Sequence, residues 1–424
     1  MTKMKLKIPF SPPDMSEEEA KEVREAILSG WITTGPRTKK LEAQISEYVG
    51  TVKAVCLSSA TAAMEMMLHL LDVQPEDEVI VPAYTYTATA SVTQHVGCRL
   101  VMVDSQKDHV EMDYEQLEQA ITEKTKVIMP VDIAGIVADY DRVYEIVERK
   151  KNLFRPANAL QAKIGRIVVA ADCAHAFGAV RKGKMAGAIA DFSAFSFHAV
   201  KNFTTAEGGA LTWKLPFGTE IVPTDVDYMP TVPKIEDETW NEMLYRISQL
   251  FSLHGQNKDA LAKTKVGMWE YDIIGPWYKC NMTDIMASLG LVQMRRYPKM
   301  LERRQEIVAR YNAALDGLNV TVLNHKDAEH CSSHHLYMVR LPGKSREEVN
   351  RVMEQMAERG IATNVHFKPL PMMTAYKALG FHIADYPNAY RLFENEITLP
   401  LYTRLTDEEV DYVITNFVDI IKNL

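Results

Sequence analysis

The alternation of apolar and polar positions divides the chain into a long first part and a shorter second part with a different rhythm. Between Lys53 and Trp213 the apolar runs KAVCL, EVIVPA, RLVMVD, KVIMPVDI, RIVVAAD, FSAFSF and GALTW follow one another. Between them, Ala60 to Leu71, Tyr86 to His95, Tyr114 to Thr122 and Asp139 to Arg149 read as helical segments. Short β-branched runs read as buried strands, and strands alternating with helical segments predict βαβ units. The expected fold class is therefore α/β, a mostly parallel seven-stranded sheet with helices on both faces. Ahead of it, Met15 to Leu28 puts Ala20, Val23, Ala26 and Ile27 on one helical face, and a Gly/Pro-punctuated loop leads to a second helix from about Thr38 to Val49.

Beyond Asn281 the pattern changes. TDIMASLGLVQMRRYPKMLERRQEIVARYNAAL predicts long helical structure, HHLYMVRL and IATNVHF predict strands, and SREEVNRVMEQMAERG and DEEVDYVITNFVDIIKNL predict helices. We expect a large α/β domain over residues 1–255, including the N-terminal helix, and a smaller C-terminal α+β domain over residues 256–424. Two stretches exceed the rhythm, Lys150 to Gly165 and the proline-rich Leu215 to Glu242, and read as excursions that either shape a substrate mouth or pad the surface.

Composition narrows the function. A chain of 424 residues with 47% hydrophobic content can bury a large core. Its formal net charge of -8 argues against a nucleic-acid surface, which needs clustered Lys and Arg to release counterions. The start has no signal-peptide core and no apolar run reaches membrane-spanning length, so a cytoplasmic protein without a membrane partner is expected. The five cysteines, Cys56, Cys98, Cys173, Cys280 and Cys331, are scattered without C-x-x-C spacing, and no metal is expected.

In parallel sheets ligands bind at the carboxyl ends of strands, so the candidate chemistry sits there. FSFHAVKNFTTAEGGA ends a strand at Ser196 and continues to Lys201 among small and hydroxyl residues. An enclosed lysine amine is a candidate nucleophile, although the same residues also fit an ordinary solvated lysine. Asp172 ends RIVVAAD, either as a functional carboxylate or as a helix cap. Ser59-Ala60-Thr61 follows KAVCL and opens a helix, where backbone N–H groups suit a phosphate and where a plain N-cap would look alike.

The blocks PFSPPDM, SGWITTGP, SSATAAM, PAYTYTATAS, ADCAHAFGA, the lysine stretch, YKCNMTDI, GIATNVHFKP and LPLYTRLTDEEV together resemble the DegT/DnrJ/StrS sugar aminotransferases. They stand nearest the branch that makes a UDP-linked 4-amino-4-deoxy-L-arabinose. The resemblance implies the fold type I of pyridoxal phosphate (PLP) enzymes, with PLP held as an aldimine on Lys201. It also implies glutamate as amino donor, giving 2-oxoglutarate, and a nucleotide-linked keto sugar as acceptor. By the same resemblance Asp172 faces the pyridine nitrogen, His175 the phenolic oxygen, and Tyr86 stacks on the ring. Ser59, Ala60, Thr61 and Ser196 cradle the phosphate. Asn281 reaches the phosphate of the neighbouring subunit's cofactor, which implies a homodimer. Trp31 and His366 border the sugar pocket. Departures lie at Asp132 and Pro371, where that branch has histidine. Arg37, Lys39 and Lys368 are candidates to meet the nucleotide's charge.

An ordinary lysine has a pKa of about 10.4, so only about one in a thousand would be neutral at pH 7, and burial must lower that value for the amine to move protons. Two other readings stay in view. A pyridoxamine-dependent sugar 3-dehydratase of the same fold would replace the lysine, which is present here. A non-catalytic binding protein would have lost Lys201, Asp172 or the phosphate loop, and none is lost. Gly343-Lys344-Ser345 imitates the end of a phosphate loop, but Met338 stands where the leading glycine belongs.

Overall fold

The structure is a computed structural model that describes residues 6–215, 217–226, 228–257 and 270–424. Two helices come first, α1 (Glu17–Leu28) and α2 (Pro36–Val49). A capping box between Ser16 and Glu19 starts α1. Pro36 opens α2, and the carboxylate of Asp284 accepts the amides of Arg37 and Thr38 at 3.1 and 2.9 Å, which ties its start to a distant helix.

The alternating region follows as β1 (Ala54–Leu57), α3 (Ala60–Leu70), β2 (Glu78–Pro82), α4 (Thr87–His95), β3 (Arg99–Val103), α5 (Tyr114–Ala120), β4 (Thr125–Ile128), α6 (Tyr140–Arg149), α7 (Ala159–Ile164) and β5 (Val168–Asp172). A short hairpin of β6 (Val180–Arg181) and β7 (Lys184–Met185) precedes β8 (Phe192–Ser196) and β9 (Gly209–Trp213). The main sheet has the order β1-β9-β8-β5-β4-β2-β3. Only β9 runs against the others, pairing antiparallel with both β1 and β8. The seven runs expected from the sequence thus form the mostly parallel seven-stranded sheet. Its strands are buried on both faces because helices cover both, so they read as continuous apolar runs rather than alternating ones.

After α8 (Trp240–Ser252), the helix α9 (Asp284–Leu315) runs for 32 residues and contacts α1, α2 and α13. A three-stranded sheet of β10 (Thr321–Val322), β12 (Tyr337–Arg340) and β13 (Glu396–Leu399) follows, while β11 (His330–Cys331) joins the β6–β7 hairpin. The helices here are α10 (Arg346–Glu358), α11 (Thr374–Ala378), α12 (Pro387–Glu394) and α13 (Asp407–Lys422). Ile8 pairs with Ile361 and packs in the apolar cluster of this region, so the N-terminal segment returns to it.

Two local expectations change, and one strand lies where none was expected. KVIMPVDI pairs as a strand only to Ile128, because Pro130 lacks an N–H and the chain turns at Ile133–Gly135. IATNVHF is not a strand: its backbone pairs with other segments only in isolated bridges at Ile361 and Asn364. The ladder position beside β12 is taken instead by Glu396–Leu399, which carries too few apolar residues to be picked out by pattern. Gly343-Lys344-Ser345 is a helix start, with Ser345 and Glu348 forming the capping box of α10.

Both excursions pack onto the body. Asn158 and Gln161 donate side-chain hydrogen bonds to the Leu71 carbonyl at 2.8 and 2.7 Å, which fastens α7 to the end of α3. Phe217, Tyr228 and Val232 of the 215–242 stretch are buried in the main core. Positions 216 and 227 of that stretch lie outside the described residues.

Candidate functional site

A cavity of about 350 Å³ opens where the carboxyl ends of β1, β5 and β8 meet the C-terminal region. It lies within the size range of small-molecule and cofactor sites. Its wall contains Ser59, Ala60, Thr61, Tyr86, Asp172, His175, Ser196, Lys201 and His366, so one amine, one carboxylate, a helix start and the expected aromatic ring converge from separate strands. Among the described residues, neither excursion contributes to the wall.

Lys201 is held close to the sheet by its amide, which donates to the His198 carbonyl at 2.9 Å. Burial lowers its pKa to about 8, and the charge of Asp172 is what opposes a larger fall. Asp172 is buried at the end of β5. Its Oδ2 accepts the Thr89 hydroxyl at 2.7 Å and its Oδ1 accepts the Ala174 amide at 3.0 Å. Burial raises its pKa, while those two bonds and the Lys201 charge hold the carboxylate form against that push.

The candidate phosphate cradle lies at the start of α3. Ser59 is the N-cap, and its hydroxyl accepts the Ala62 amide at 3.0 Å. The amides of Ala60 and Thr61 are the helix-start donors that border the cavity. A Cβ at Gly209 would stand 2.4 Å from the Ser59 carbonyl carbon and 2.5 Å from the Ala60 nitrogen, so glycine is what lets β9 lie against this turn. Because the donors are main-chain groups, Ala60 serves here without a glycine's freedom.

His175 accepts the Ala134 amide at Nδ1 at 3.2 Å. Burial keeps its pKa well below the usual histidine range, so the ring is neutral and its one N–H is at Nε2. His335, whose ring centroid lies 4.4 Å from that of His175, is the complement. Asn202 donates to the Ser333 carbonyl at 2.7 Å, which leaves its Oδ1 to accept from His335 Nδ1 at 2.9 Å. His335 therefore carries its proton at Nδ1 and offers a lone pair at Nε2. The buried Arg304 fixes the backbone there, donating to the carbonyls of His334, His335 and Leu401 at 3.2, 3.3 and 3.2 Å.

The chain matches the DegT/DnrJ/EryC1/StrS aminotransferase model over residues 13–418. It belongs to that aminotransferase family. It is 54% identical to Spr1654 from Streptococcus pneumoniae, a proposed sugar aminotransferase, in a PLP-form structure that covers 99% of both chains with a TM-score of 0.89. The pyridoxamine-phosphate form of the same protein is 55% identical with a TM-score of 0.90 and covers 98% of this chain and 99% of that one. SpsC of Bacillus subtilis, a spore coat polysaccharide biosynthesis protein, is 34% identical over 424 residues, covering 98% of this chain and 97% of its own. PseC of Helicobacter pylori, an aminotransferase in pseudoaminic acid biosynthesis, is 25% identical with a TM-score of 0.82 over 99% of this chain and all of that one. The protein is thus a PLP-dependent transaminase of this family. The cradle left open by Gly209, the acid of Asp172 and the amine of Lys201 fit that cofactor in its three chemically distinct parts.

Two residues expected at the aminotransferase site do not reach the cavity of their own chain. The Trp31 indole donates to the Thr34 carbonyl at 3.1 Å, and the Asn281 amide is bonded to Thr34 and Lys279. Both sit beyond the end of β1, where Leu57 bridges Asn281. Thr283, not Asn281, caps α9. Arg37 is paired with Glu22, and Lys39 with Tyr245, Gln249 and Glu42, which leaves Lys368, beside the wall residue Phe367, as the candidate cation near the mouth. Asp132 is buried behind the wall, bonded to Ala138, Tyr140 and Cys173, and Pro371 lies in a turn, so neither departure faces the cavity. Tyr84 is buried, with its hydroxyl on the His366 carbonyl, while Tyr86 stands exposed at the cavity with the Phe367 ring 6.0 Å away.

Sequence reasoning missed Thr89, His335, Asn202 and Phe10. Thr89 had a usable signal, since it lies one turn into a helix whose start, Tyr86, was already singled out. His335 was hidden in an apolar run that reads only as a strand.

Proposed function

We propose that this enzyme moves an amino group from glutamate to a keto group of a nucleotide-linked sugar, in the biosynthesis of a cell-surface polysaccharide or a related amino sugar. The observation that carries the reading is the pairing in one cavity of the Lys201 amine, lowered to about 8, with the buried Asp172 carboxylate. The sugar class draws support from SpsC, named for spore coat polysaccharide, and PseC, named for pseudoaminic acid.

When bound, PLP supplies a protonated ring that takes up the electrons left as a proton departs from the donor's carbon. Lys201 would hold the cofactor through its amine, and that amine, brought down to about 8, is the group in this cavity that would move the proton. Asp172, whose carboxylate form the Thr89 and Ala174 bonds favour against burial, would face the pyridine nitrogen of PLP and favour its protonated form. His175 would offer its Nε2–H to the phenolic oxygen, Tyr86 would cover the ring, and Ser59, Ala60, Thr61 and Ser196 would bind the phosphate. Trp31 and Asn281, turned away from their own cavity, would complete the site of a second copy in a homodimer. The division into residues 1–255 and 256–424 would put the cavity at the junction of two domains, in a cytoplasmic enzyme. Among the described residues no helix is long and apolar enough to cross a membrane.

The test is reduction of the PLP-loaded protein with borohydride followed by peptide mapping. The pyridoxyl group is expected on Lys201, and a Lys201 peptide without it would sink the assignment. A panel of UDP-, GDP- and dTDP-linked 4-amino sugars, run in reverse with 2-oxoglutarate, then identifies the acceptor. Turnover of none of them while simple amino acids transaminate would overturn the sugar reading.

A further inference from the structure

His366 enters the cavity wall with its ring fixed on every side but one. Phe10 stacks on it with centroids 5.6 Å apart, and Phe367 meets it edge-on at 5.0 Å. Tyr84 donates to its carbonyl at 2.5 Å, and its amide donates to Glu396 Oε2 at 2.9 Å. Its Nδ1 lies 2.9 Å from Thr398 Oγ1, and the Thr398 hydroxyl lies 2.5 Å from Glu396 Oε1. Glu396 and Thr398 are alternate residues of β13, so they share one face of the strand. Main-chain bonds between Asn364 and Thr398, 2.8 and 3.1 Å, hold the His366 segment against that face. The nitrogen left for the cavity is Nε2.

Each link of this chain can run in two senses. An ionised Glu396 can only accept, so Thr398 donates to it, His366 Nδ1–H donates to Thr398, and Nε2 presents a lone pair. A protonated Glu396 donates from Oε1, because Oε2 is already taken by the His366 amide. Thr398 then donates to Nδ1, and Nε2 carries the hydrogen. One proton on a buried carboxyl thus decides whether the cavity sees a donor or an acceptor.

We propose that Glu396, Thr398 and His366 form a proton relay through which His366 Nε2 protonates the substrate's keto oxygen as nitrogen replaces it. The proposal rests on the aminotransfer reading above. In the forward sense Nε2 gives its proton to that oxygen, Nδ1 takes the Thr398 proton, and Thr398 takes the proton of Glu396, which becomes a carboxylate. The carbon–oxygen bond breaks with its electron pair on oxygen, which leaves as water. The incoming amino nitrogen sheds the protons that water has taken, and one of them restores Glu396 through the same three bonds in reverse. His366 touches substrate in this scheme, whereas Glu396 and Thr398 are positioning residues acting through it.

The surroundings suit such a relay. Burial lifts the Glu396 carboxyl to about 8, against the bonds from Thr398 and the His366 amide and the charge of Arg346, so both states lie near neutral pH. Burial and then the Lys201 charge bring His366 down to about 3, so its ring changes tautomer without gaining charge. The groups facing Glu396 are Arg346 of α10, which donates to the Glu396 carbonyl at 2.7 Å, Tyr84 before α4, and Arg340, its register partner on β12.

The experiment follows the ring nitrogens of His366 by NMR in PLP-loaded protein labelled with ¹⁵N-histidine, from about pH 6.5 to 9.5, with H366Q to assign the signals. In the wild type the proton is expected to pass from Nε2 to Nδ1 with an inflection near 8. E396Q, whose amide mimics the protonated acid, should stay at Nε2–H throughout, and T398V should show no inflection. T398V should lower kcat for the sugar half-reaction roughly tenfold to a hundredfold, within the range of a proton donor, with T398S restoring it. A wild-type tautomer that stays constant, or an E396Q or T398V protein that titrates like the wild type, overturns the relay. Should E396Q not fold, T398V and T398S decide alone. Borohydride trapping on Lys201 with no His366 titration refutes only the relay, while titration without trapping refutes the aminotransfer reading instead.

Discussion

Thr89→Val is the perturbation that most directly asks whether Asp172 is held ionised by its neighbours. The Thr89 hydroxyl donates to Asp172 Oδ2 at 2.7 Å, so in its 2.9 Å contact with Thr85 the Thr85 hydroxyl must be the donor. Valine keeps the shape and removes both roles. A hydrogen bond to a charged group is worth about 1.5–3 kcal/mol, which is roughly a tenfold to hundredfold shift toward the protonated carboxyl. Burial already raises the Asp172 pKa, so losing this bond raises it further. The assay is spectrophotometric titration of apo-protein with PLP across pH. The variant's affinity should drop steeply as pH falls, with its acid limb displaced to higher pH than the wild type's. Stability should show the opposite sign. A carboxyl whose folded pKa is raised makes the fold weaker as pH rises through that pKa, so the melting deficit of the apo-variant should be largest at neutral pH and shrink in acid. Superimposable acid limbs for the two proteins would refute the account of Asp172.

Other consequences are more direct. With its pKa near 8, roughly one in ten Lys201 amines is neutral at pH 7, so pulse acetylation of apo-protein read by mass spectrometry should modify Lys201 ahead of surface lysines, with an inflection near 8. Asp172→Asn should move that inflection to lower pH, since the Asp172 charge is what holds it up. Gly209→Ala would press a Cβ onto the Ser59 carbonyl carbon, and overpacking of this kind costs about 1–3 kcal/mol, so both melting temperature and PLP affinity should fall; an unchanged affinity would show that the cradle does not bind the phosphate. Ser345→Ala removes the capping box of α10 and should cost about 1 kcal/mol in urea unfolding with kcat unchanged, because this Gly-Lys-Ser is a helix start and not a phosphate loop.

The chain's own pattern determined the seven-stranded core, because strands sandwiched between helices must be apolar along their whole length and therefore show as runs. It also brought several candidate residues to one cavity, since Asp172 and the Ser59–Thr61 turn sit at strand ends and Lys201 follows the end of β8, where the chain direction alone decides which edge they face. Local pairing chemistry marked helix starts in the same way, as Ser16, Thr283 and Ser345 each act on amides two or three residues away. What only the tertiary structure decided involves partners far apart in sequence: Thr89 on Asp172, Asn202 on His335, and Glu396 reaching His366 through Thr398. Each depends on hydrogen bonds a few ångströms long between segments whose separation along the chain carries no periodic signature. The strand Glu396–Leu399 shows the same limit, since its polar residues are buried only because a relay and a neighbouring ladder take them in.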